Sequence, residues 1–164
     1  CREIGSLYPV NYNCPQQLVV AGSMDALAQL AKAATILGGR ALPLKVSGAF
    51  HSPMMDEAAL SLAQTLADYH LSPTRLPVFA NMTAQPYGDN PQDMIAVQVN
   101  HPVLWQQTIE NMIKNGARDF IEIGTGSTLC GLIGKIDNSV STMNIHNKES
   151  FDRAVSRYAK EPLC

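Results

Sequence analysis

The chain has 164 residues, of which 46% are hydrophobic and 16% charged, so it can bury the core of one domain or slightly more and is neither disordered nor fibrous. Twelve basic and fourteen acidic side chains give a formal net charge of -2, which argues against nucleic acid or an anionic membrane as the main partner. No stretch approaches the roughly 18 uninterrupted apolar residues of a membrane span, and the first residues lack the apolar core of a signal peptide, so we expect a soluble, cytoplasmic protein.

Strand-like and helix-like segments alternate along the whole chain. Short apolar or β-leaning runs bounded by proline or glycine predict strands at 8–13, 17–22, 40–46, 76–80, 120–123 and 140–145. Apolar residues at helical spacing, with capping residues at their ends, predict helices that begin after Ser23, at Pro53, near Asp93, at Pro102, at Ser127 and at Ser150. The strand, helix, strand order up to residue 46 predicts one compact crossover unit. The alternation as a whole favours an α/β fold with a largely parallel sheet covered on both faces.

His51 is the residue that we expect to carry chemistry. It follows a predicted strand and precedes a helix that begins with Ser52 as N-cap and Pro53 at the first helical position. Open α/β sheets gather their sites at such strand-to-helix junctions, and a helix N-terminus favours the neutral imidazole that a general base needs. The alternative is an ordinary loop histidine.

The remaining histidines and the cysteines predict no second site. His70, His101 and His146 each lie at an element end where a structural role is the commoner one. The four cysteines are far apart and form no C-x-x-C motif, so we expect scattered thiols. No histidine pair has the i, i+4 spacing of a zincin and no Asp-rich loop is present, so no metal site is predicted.

The 164 residues contain no G-x-S-x-G elbow, the motif by which serine hydrolases and acyltransferases on such sheets present their nucleophile. If His51 is a general base, its nucleophile is therefore expected outside this sequence. The chain also begins with Cys1 rather than Met and is interpreted as a piece of a longer protein. The Gly124-Thr125-Gly126 turn could bind a phosphate, but it lacks the further glycine or lysine of the known motifs, and a structural tight turn is favoured.

Four segments together resemble the malonyl-CoA:acyl-carrier-protein transacylases, the acyltransferase family of fatty-acid and polyketide synthesis. The resemblance covers about residues 8–136, and its most specific part is the segment around His51. The matching segments are 11–22 (NYNCPQQLVVAG), 40–55 (RALPLKVSGAFHSPMM), 98–105 (QVNHPVLW) and 120–126 (FIEIGTG).

This resemblance implies a ping-pong transfer in which a serine takes malonyl from coenzyme A and passes it to the phosphopantetheine thiol of an acyl carrier protein. His51 matches the catalytic histidine, and Gln98 matches the glutamine whose backbone carbonyl orients the imidazole. Phe50 matches the ring associated with selection of malonyl over methylmalonyl, although a core role is also open. Asn11 and Asn13 match asparagines that line the substrate cleft, and a structural turn role is an alternative for both. No resident cofactor is implied, because the coenzyme A thioester is a substrate.

The resemblance also implies a domain organisation. Residues 1–46 match the later part of a small ferredoxin-like subdomain, and residues 47–164 match the C-terminal part of a larger α/β hydrolase-like acyltransferase domain. The family's serine belongs to the half that this sequence does not contain, so we expect the chain alone to be inactive.

Three other functions stay open at this point. The first is a polyketide-synthase-type acyltransferase that uses another acyl-CoA and retains the same histidine. The second is a non-catalytic module that binds the carrier protein without acyl transfer. A nucleotide-binding α/β domain is the third, and the weak glycine signal at Gly124 disfavours it.

Overall fold

A computed structural model describes residues 1, 3–89 and 91–159 of the chain. They fall into two compact units, Cys1–Thr108 and Ile109–Cys164. The first unit contains β1 (Leu7–Cys14), β2 (Gln17–Gly22), α1 (Met24–Ile36), a 3-10 turn (Pro53–Met55), α2 (Asp56–Leu66) and α3 (Gln92–Val97). Helix α4 (Trp105–Lys114) begins in the first unit, and β3 (Asp119–Ile123), α5 (Thr128–Ile136), β4 (Ser141–Ile145) and α6 (Lys148–Tyr158) follow in the second.

An antiparallel hairpin of β1 and β2 forms the sheet of the first unit. Cys14 pairs with Gln17 across a two-residue turn, in which Gln16 has a positive φ of 66°. Gly22 ends β2 where the chain passes close to β1, since a Cβ at Gly22 would lie 2.3 Å from the Ser6 carbonyl oxygen. Only glycine is accommodated at that approach.

The other edge of β1 bonds to the segment that precedes α4. The Val103 N–H donates to the Val10 carbonyl oxygen at 2.8 Å, and the Tyr12 N–H donates to the Val103 carbonyl oxygen at 2.9 Å. The next residue, Leu104, donates its N–H to the Asn81 carbonyl oxygen at 2.7 Å. Three stretches that are distant in sequence are thus joined through backbone hydrogen bonds.

The predicted N-caps of the first two helices are confirmed. Ser23 begins α1 and accepts a hydrogen bond from the Ala26 N–H at 3.3 Å. Ser52 caps the 3-10 turn and accepts from the Met54 N–H at 3.3 Å, with Pro53 at the first position of that turn. These contacts satisfy N–H groups that have no partner inside the helix.

A parallel pair of strands, β3 and β4, forms the sheet of the second unit. The register runs from Asp119 opposite Ser141 to Ile123 opposite Ile145, and α5 connects the two strands. Both strands and α5 confirm the sequence prediction. Helix α6 begins two residues before its predicted start, because a capping box between Asn147 and Ser150 fixes its N-terminus.

Two strands predicted from the sequence are absent. Residues 40–46 form no strand, and their alternating apolar side chains Leu42, Leu44 and Val46 are 59–64% exposed. Residues 76–80, predicted as a buried strand, contribute a single antiparallel bridge between Phe79 and Pro86. A strand needs a continuous hydrogen-bonded neighbour. Among the described residues, segment 40–46 pairs with no strand, and segment 76–80 pairs only locally with residues 85–87.

The sheets of the described residues are both two-stranded, one antiparallel and one parallel. The α/β class is confirmed, but the expected largely parallel sheet is wrong for these residues. The two-residue turn between β1 and β2 permits only antiparallel pairing, and the missing strand at 40–46 removes the crossover predicted after α1. No helix in the described ranges is long and apolar enough to cross a bilayer.

The carboxylate of Glu122 caps the N-terminus of α5. It accepts hydrogen bonds from the Cys130 N–H at 2.9 Å and the Leu129 N–H at 3.1 Å, whereas Ser127, the residue before the helix, makes no side-chain cap. The hydrogen bond from the Cys130 N–H is the largest effect and holds the pKa of Glu122 below its ordinary value. Desolvation opposes it, and the weaker bond from the Leu129 N–H adds to the lowering. A side chain of the protein thus takes two of the N–H groups at the start of α5, and the structural role of the Gly124 turn stays a prediction.

Replacing Glu122 with glutamine is expected to destabilise the chain at neutral pH. The carboxylate pKa is lower in the folded state than in the unfolded state, so its contribution is complete above the unfolded value of about 4.3 and is lost as the pH falls through the folded value. The difference in urea midpoint between wild type and Glu122→Gln should therefore be present at pH 7 and shrink below about pH 4. Glu149→Gln is the control, because Glu149 forms an exposed ion pair with Arg153 one turn along α6. An equal difference in urea midpoint at both pH values would show that the ionised form of Glu122 is not what stabilises the start of α5.

Candidate active site

His51 has an unusual backbone conformation. Its φ is 63°, in the left-handed region, which costs a non-glycine residue on the order of 1 kcal/mol. The next residue is fixed on both sides: the Ser52 hydroxyl donates to the Ala49 carbonyl oxygen at 2.6 Å and accepts from the Met54 N–H at 3.3 Å. Ser52 is fully buried. The turn that carries His51 is therefore rigidly attached to the start of the following helix.

The imidazole of His51 is oriented by the end of α3. Its Nδ1 lies 2.9 Å from the Gln98 carbonyl oxygen, and the backbone N–H of His51 donates to the Val99 carbonyl oxygen, also at 2.9 Å. A carbonyl can only accept, so Nδ1 carries the proton and Nε2 has the lone pair of a base. No hydrogen-bond partner for Nε2 is found within the described part of the chain.

Gln98 is held in place through its own side chain. It is the C-cap of α3, and its Oε1 accepts a hydrogen bond from the Asn81 N–H at 3.0 Å. The two residues to which the resemblance gives catalytic roles, His51 and Gln98, are thus brought together across 47 positions of sequence.

A groove of about 540 Å³ in the first unit includes His51 in its wall. Asp56 and Asn100 meet at the groove, where the Asn100 amide donates to the Asp56 carboxylate at 2.8 Å. His101 also lines the groove, and its Nδ1 lies 2.8 Å from the Val97 carbonyl oxygen and 2.7 Å from the Asn100 side-chain oxygen. The groove is lined by Tyr8, Pro9, Tyr12, His51, Pro53, Asp56, Asn100, His101 and Pro102.

The other residues predicted for substrate binding lie near this groove in sequence but are not among those that line it. Phe50 is 46% exposed, and its ring packs against Gly48. Asn11 and Asn13 lie half-buried on β1, where Asn11 forms a parallel bridge with Val103. Their roles in substrate binding stay predictions.

Sequence reasoning did not find Tyr8, Tyr12 and Asn100 as groove residues. The pairing of β1 with β2 shifts register between Pro9 and Asn11, so simple alternation along the strand does not tell which side chains face the groove. Asn100 belongs to the NHPV stretch quoted for its resemblance, but its contact with Asp56 joins residues 44 positions apart.

Cys130 and clusters of possible metal ligands are the other candidates for reactivity in the described ranges. Burial raises the pKa of the Cys130 thiol, and a hydrogen bond to Glu122 and its charge raise it further, so this cysteine is less reactive than an ordinary one. No group of three or more His, Cys, Asp or Glu side chains in these ranges could hold a metal ion.

A histidine held by a glutamine carbonyl, on a turn with the sequence AFHSP, is the geometry that the resemblance implies. The acyl transferase domain family matches residues 1–149. The chain belongs to this family. Its sequence is 36% identical over 139 residues to the polyketide biosynthesis malonyl CoA-acyl carrier protein transacylase PksC of Bacillus subtilis, covering 81% of this chain and 47% of that protein. It is 31% identical over 163 residues to the malonyl CoA-acyl carrier protein transacylase of the same organism, covering 97% of the chain and 51% of that protein.

Solved acyltransferase structures share the fold. The malonyl CoA-acyl carrier protein transacylase of Clostridium perfringens superimposes with a TM-score of 0.91 at 33% identity, over 96% of this chain and 51% of that one. A malonyl-transacylase in complex with a type II polyketide acyl-carrier protein superimposes with the same TM-score of 0.91 at 30% identity. The resemblance and the α/β acyltransferase fold class are confirmed. The chain spans about half the length of the relatives that it matches.

Ser52→Ala is expected to destabilise the chain by about 1–2 kcal/mol, because it removes an N-cap and leaves the Ala49 carbonyl oxygen without its donor. Ser61→Ala is the matched control: Ser61 is exposed on α2, and its change should stay within about 0.5 kcal/mol. Urea unfolding of both variants measures the difference. Equal midpoints would show that the Ser52 hydroxyl does not hold the His51 turn.

Proposed function

We propose that this chain is the histidine-bearing half of a malonyl-CoA:acyl-carrier-protein transacylase of fatty-acid or polyketide synthesis. The observation that carries the proposal is the hydrogen bond between His51 Nδ1 and the Gln98 carbonyl oxygen, which directs Nε2 to act as the base. Two of the relatives above are named as malonyl CoA-acyl carrier protein transacylases, which supports malonyl-CoA as the acyl donor. A similar enzyme was solved with an acyl-carrier protein bound, which supports that protein as the acceptor.

In the proposed reaction, Nε2 of His51 removes the proton of a serine hydroxyl as its oxygen attacks the thioester carbonyl of malonyl-CoA. The tetrahedral intermediate collapses, the carbon–sulfur bond breaks, and the imidazolium returns the proton to the departing coenzyme A thiolate. A malonyl ester of the serine remains. The phosphopantetheine thiol of the carrier protein then reverses the sequence, and His51 again moves the proton.

The serine of this mechanism is proposed to come from a segment outside the 164 residues, since these contain no G-x-S-x-G elbow. Gln98 takes the orienting position of the third triad member, with its backbone carbonyl instead of a carboxylate. The proposal includes no resident cofactor, because coenzyme A is part of the substrate. It also keeps the division into residues 1–46 and 47–164, with Asn11 and Asn13 at the cleft between them.

The reaction is proposed to occur in the cytoplasm. Cys1, Cys14 and Cys130 are free thiols in the described part of the chain, as expected in a reducing compartment. A polyketide-synthase-type acyltransferase is the second candidate, because PksC and the polyketide biosynthesis protein PksE of Bacillus subtilis are among the similar proteins. Use of another acyl-CoA is the alternative to malonyl-CoA within this candidate.

The proposal predicts a malonyl adduct whose formation depends on His51. The chain should be joined to the preceding half of the Bacillus subtilis transacylase, exposed to malonyl-CoA and examined by intact mass. We expect one malonyl group on a serine, formed about 10²- to 10⁴-fold more slowly in His51→Ala and His51→Asn. Asparagine tolerates the left-handed backbone, so it separates loss of the base from backbone strain. His70→Ala, an exposed histidine, is the control.

Three outcomes of this experiment would contradict the proposal. An adduct on the 164-residue chain by itself would reveal a nucleophile within it. Binding of the carrier protein without any adduct would favour the non-catalytic module. Equal rates of adduct formation in all three histidine variants would show that His51 takes no part in the reaction.

Phe50→Ser is expected to admit methylmalonyl-CoA. If the ring excludes the α-methyl group, its removal should reduce the preference for malonyl by about 10- to 200-fold, the range for one methyl group in an apolar pocket. Competition between the two thioesters in the joined protein measures this ratio. Phe151→Ser is the control, because Phe151 is similarly exposed and lies on α6. An unchanged ratio would assign Phe50 a packing role only.

A further inference from the structure

The side chain of Gln98 is distinct from the backbone carbonyl that orients the histidine. The carbonyl faces His51, whereas the side-chain Oε1 accepts from the Asn81 N–H at 3.0 Å. One residue therefore links two contacts that point to different parts of the chain.

The stretch that orients His51 has little helical support of its own. Helix α3 has six residues, Gln98 is its C-cap, and His51 bonds to the carbonyls of both Gln98 and Val99. Carbonyls at a helix C-terminus have no partner inside the helix, and such ends fray readily. Something outside the helix must hold this peptide if the imidazole is to stay oriented.

Asn81 provides that support because it is itself held in the fold. Its carbonyl oxygen accepts from the Leu104 N–H at 2.7 Å, and the neighbouring Val103 is bonded to β1 in both directions. The hydrogen bond to Gln98 thus connects the end of α3 to the hairpin sheet through Asn81 and Leu104.

We propose that the Gln98 side chain is a positioning residue that fixes the His51 tautomer by anchoring the end of α3 on Asn81. Without the Oε1 acceptor, the peptide at residues 98–99 can rotate away from the imidazole, and Nδ1 loses its acceptor. The left-handed turn at His51 then loses the contacts that offset its strain. This inference deepens the proposed function and rests on it for its kinetic consequence, whereas its structural part can be measured without any activity.

The structural test uses the 164-residue chain labelled with ¹⁵N on its histidines. In the wild type, NMR should show His51 protonated on Nδ1. Gln98→Leu should lose this single tautomer and give a mixture, while Gln98→Glu, which keeps an oxygen at the same place, should retain it. Gln92→Leu is the control, because Gln92 lies at the other end of α3, where its side chain donates to the Tyr69 carbonyl oxygen at 3.4 Å.

The inference is overturned if Gln98→Leu keeps the wild-type tautomer, if Gln98→Glu fails to keep it, or if Gln92→Leu disturbs it to the same extent. Should Gln98→Leu fail to fold, the amide of Asn81 gives an independent reading in the wild type. Slow hydrogen exchange at this amide supports the proposed anchor, whereas exchange as fast as in an exposed loop rules it out.

The kinetic test uses the protein joined to the preceding half of a relative. Gln98→Leu is expected to lower kcat by about 10- to 100-fold with KM nearly unchanged, the effect of a misplaced catalytic group, and Gln98→Glu to restore most of it. The two levels of proposal fail separately. Absence of malonyl transfer in the wild-type joined protein contradicts the proposed function. Normal transfer by the wild type, with an unchanged kcat in Gln98→Leu, contradicts only the proposed anchoring of Gln98 on Asn81.

Discussion

The hydrogen bond between the His51 imidazole and the Gln98 carbonyl oxygen, 2.9 Å long, constrains the backbone conformation of the rest of the first unit. It requires a short helix to end at the right peptide, and it requires a histidine turn with a left-handed backbone. Each of these is marginal alone, since short helices fray and non-glycine residues resist positive φ. The surrounding fold stabilises both through buried Ser52 on one side and Asn81 on the other.

The parts of this fold that the sequence predicts are those determined locally. Ser23 and Ser52 were recognisable as caps because the signal and the structure lie within three residues of each other. The segments 40–46 and 76–80 have the alternating or apolar pattern of strands, but a strand depends on a neighbour that can be anywhere in the chain. The apolar pattern of these two segments shows that they favour extended structure. It does not show whether the described chain offers a neighbouring strand for them to pair with.

The candidate site divides in the same way. His51 was identified from its place between a strand-like segment and a helix start, which is local information. The role of Gln98 came only through resemblance to a family, because no property of the sequence around it indicates which atom bonds to a histidine 47 residues away. The contact of Asn100 with Asp56 and the anchor on Asn81 were not predicted at all, since each joins side chain and backbone from segments with no shared pattern.

The left-handed backbone at His51 also affects how mutational scans of this enzyme family are interpreted. The residues tolerated at such a position depend on backbone preference as well as on chemistry. Glycine and asparagine will preserve the stability of the fold, whereas valine and isoleucine will lower it. None of these four residues can act as a base. A selection for protein abundance and a selection for acyl transfer would therefore rank the same twenty residues at position 51 in different orders. Histidine at position 51 combines a tolerable left-handed conformation with the imidazole on which the proposed reaction depends.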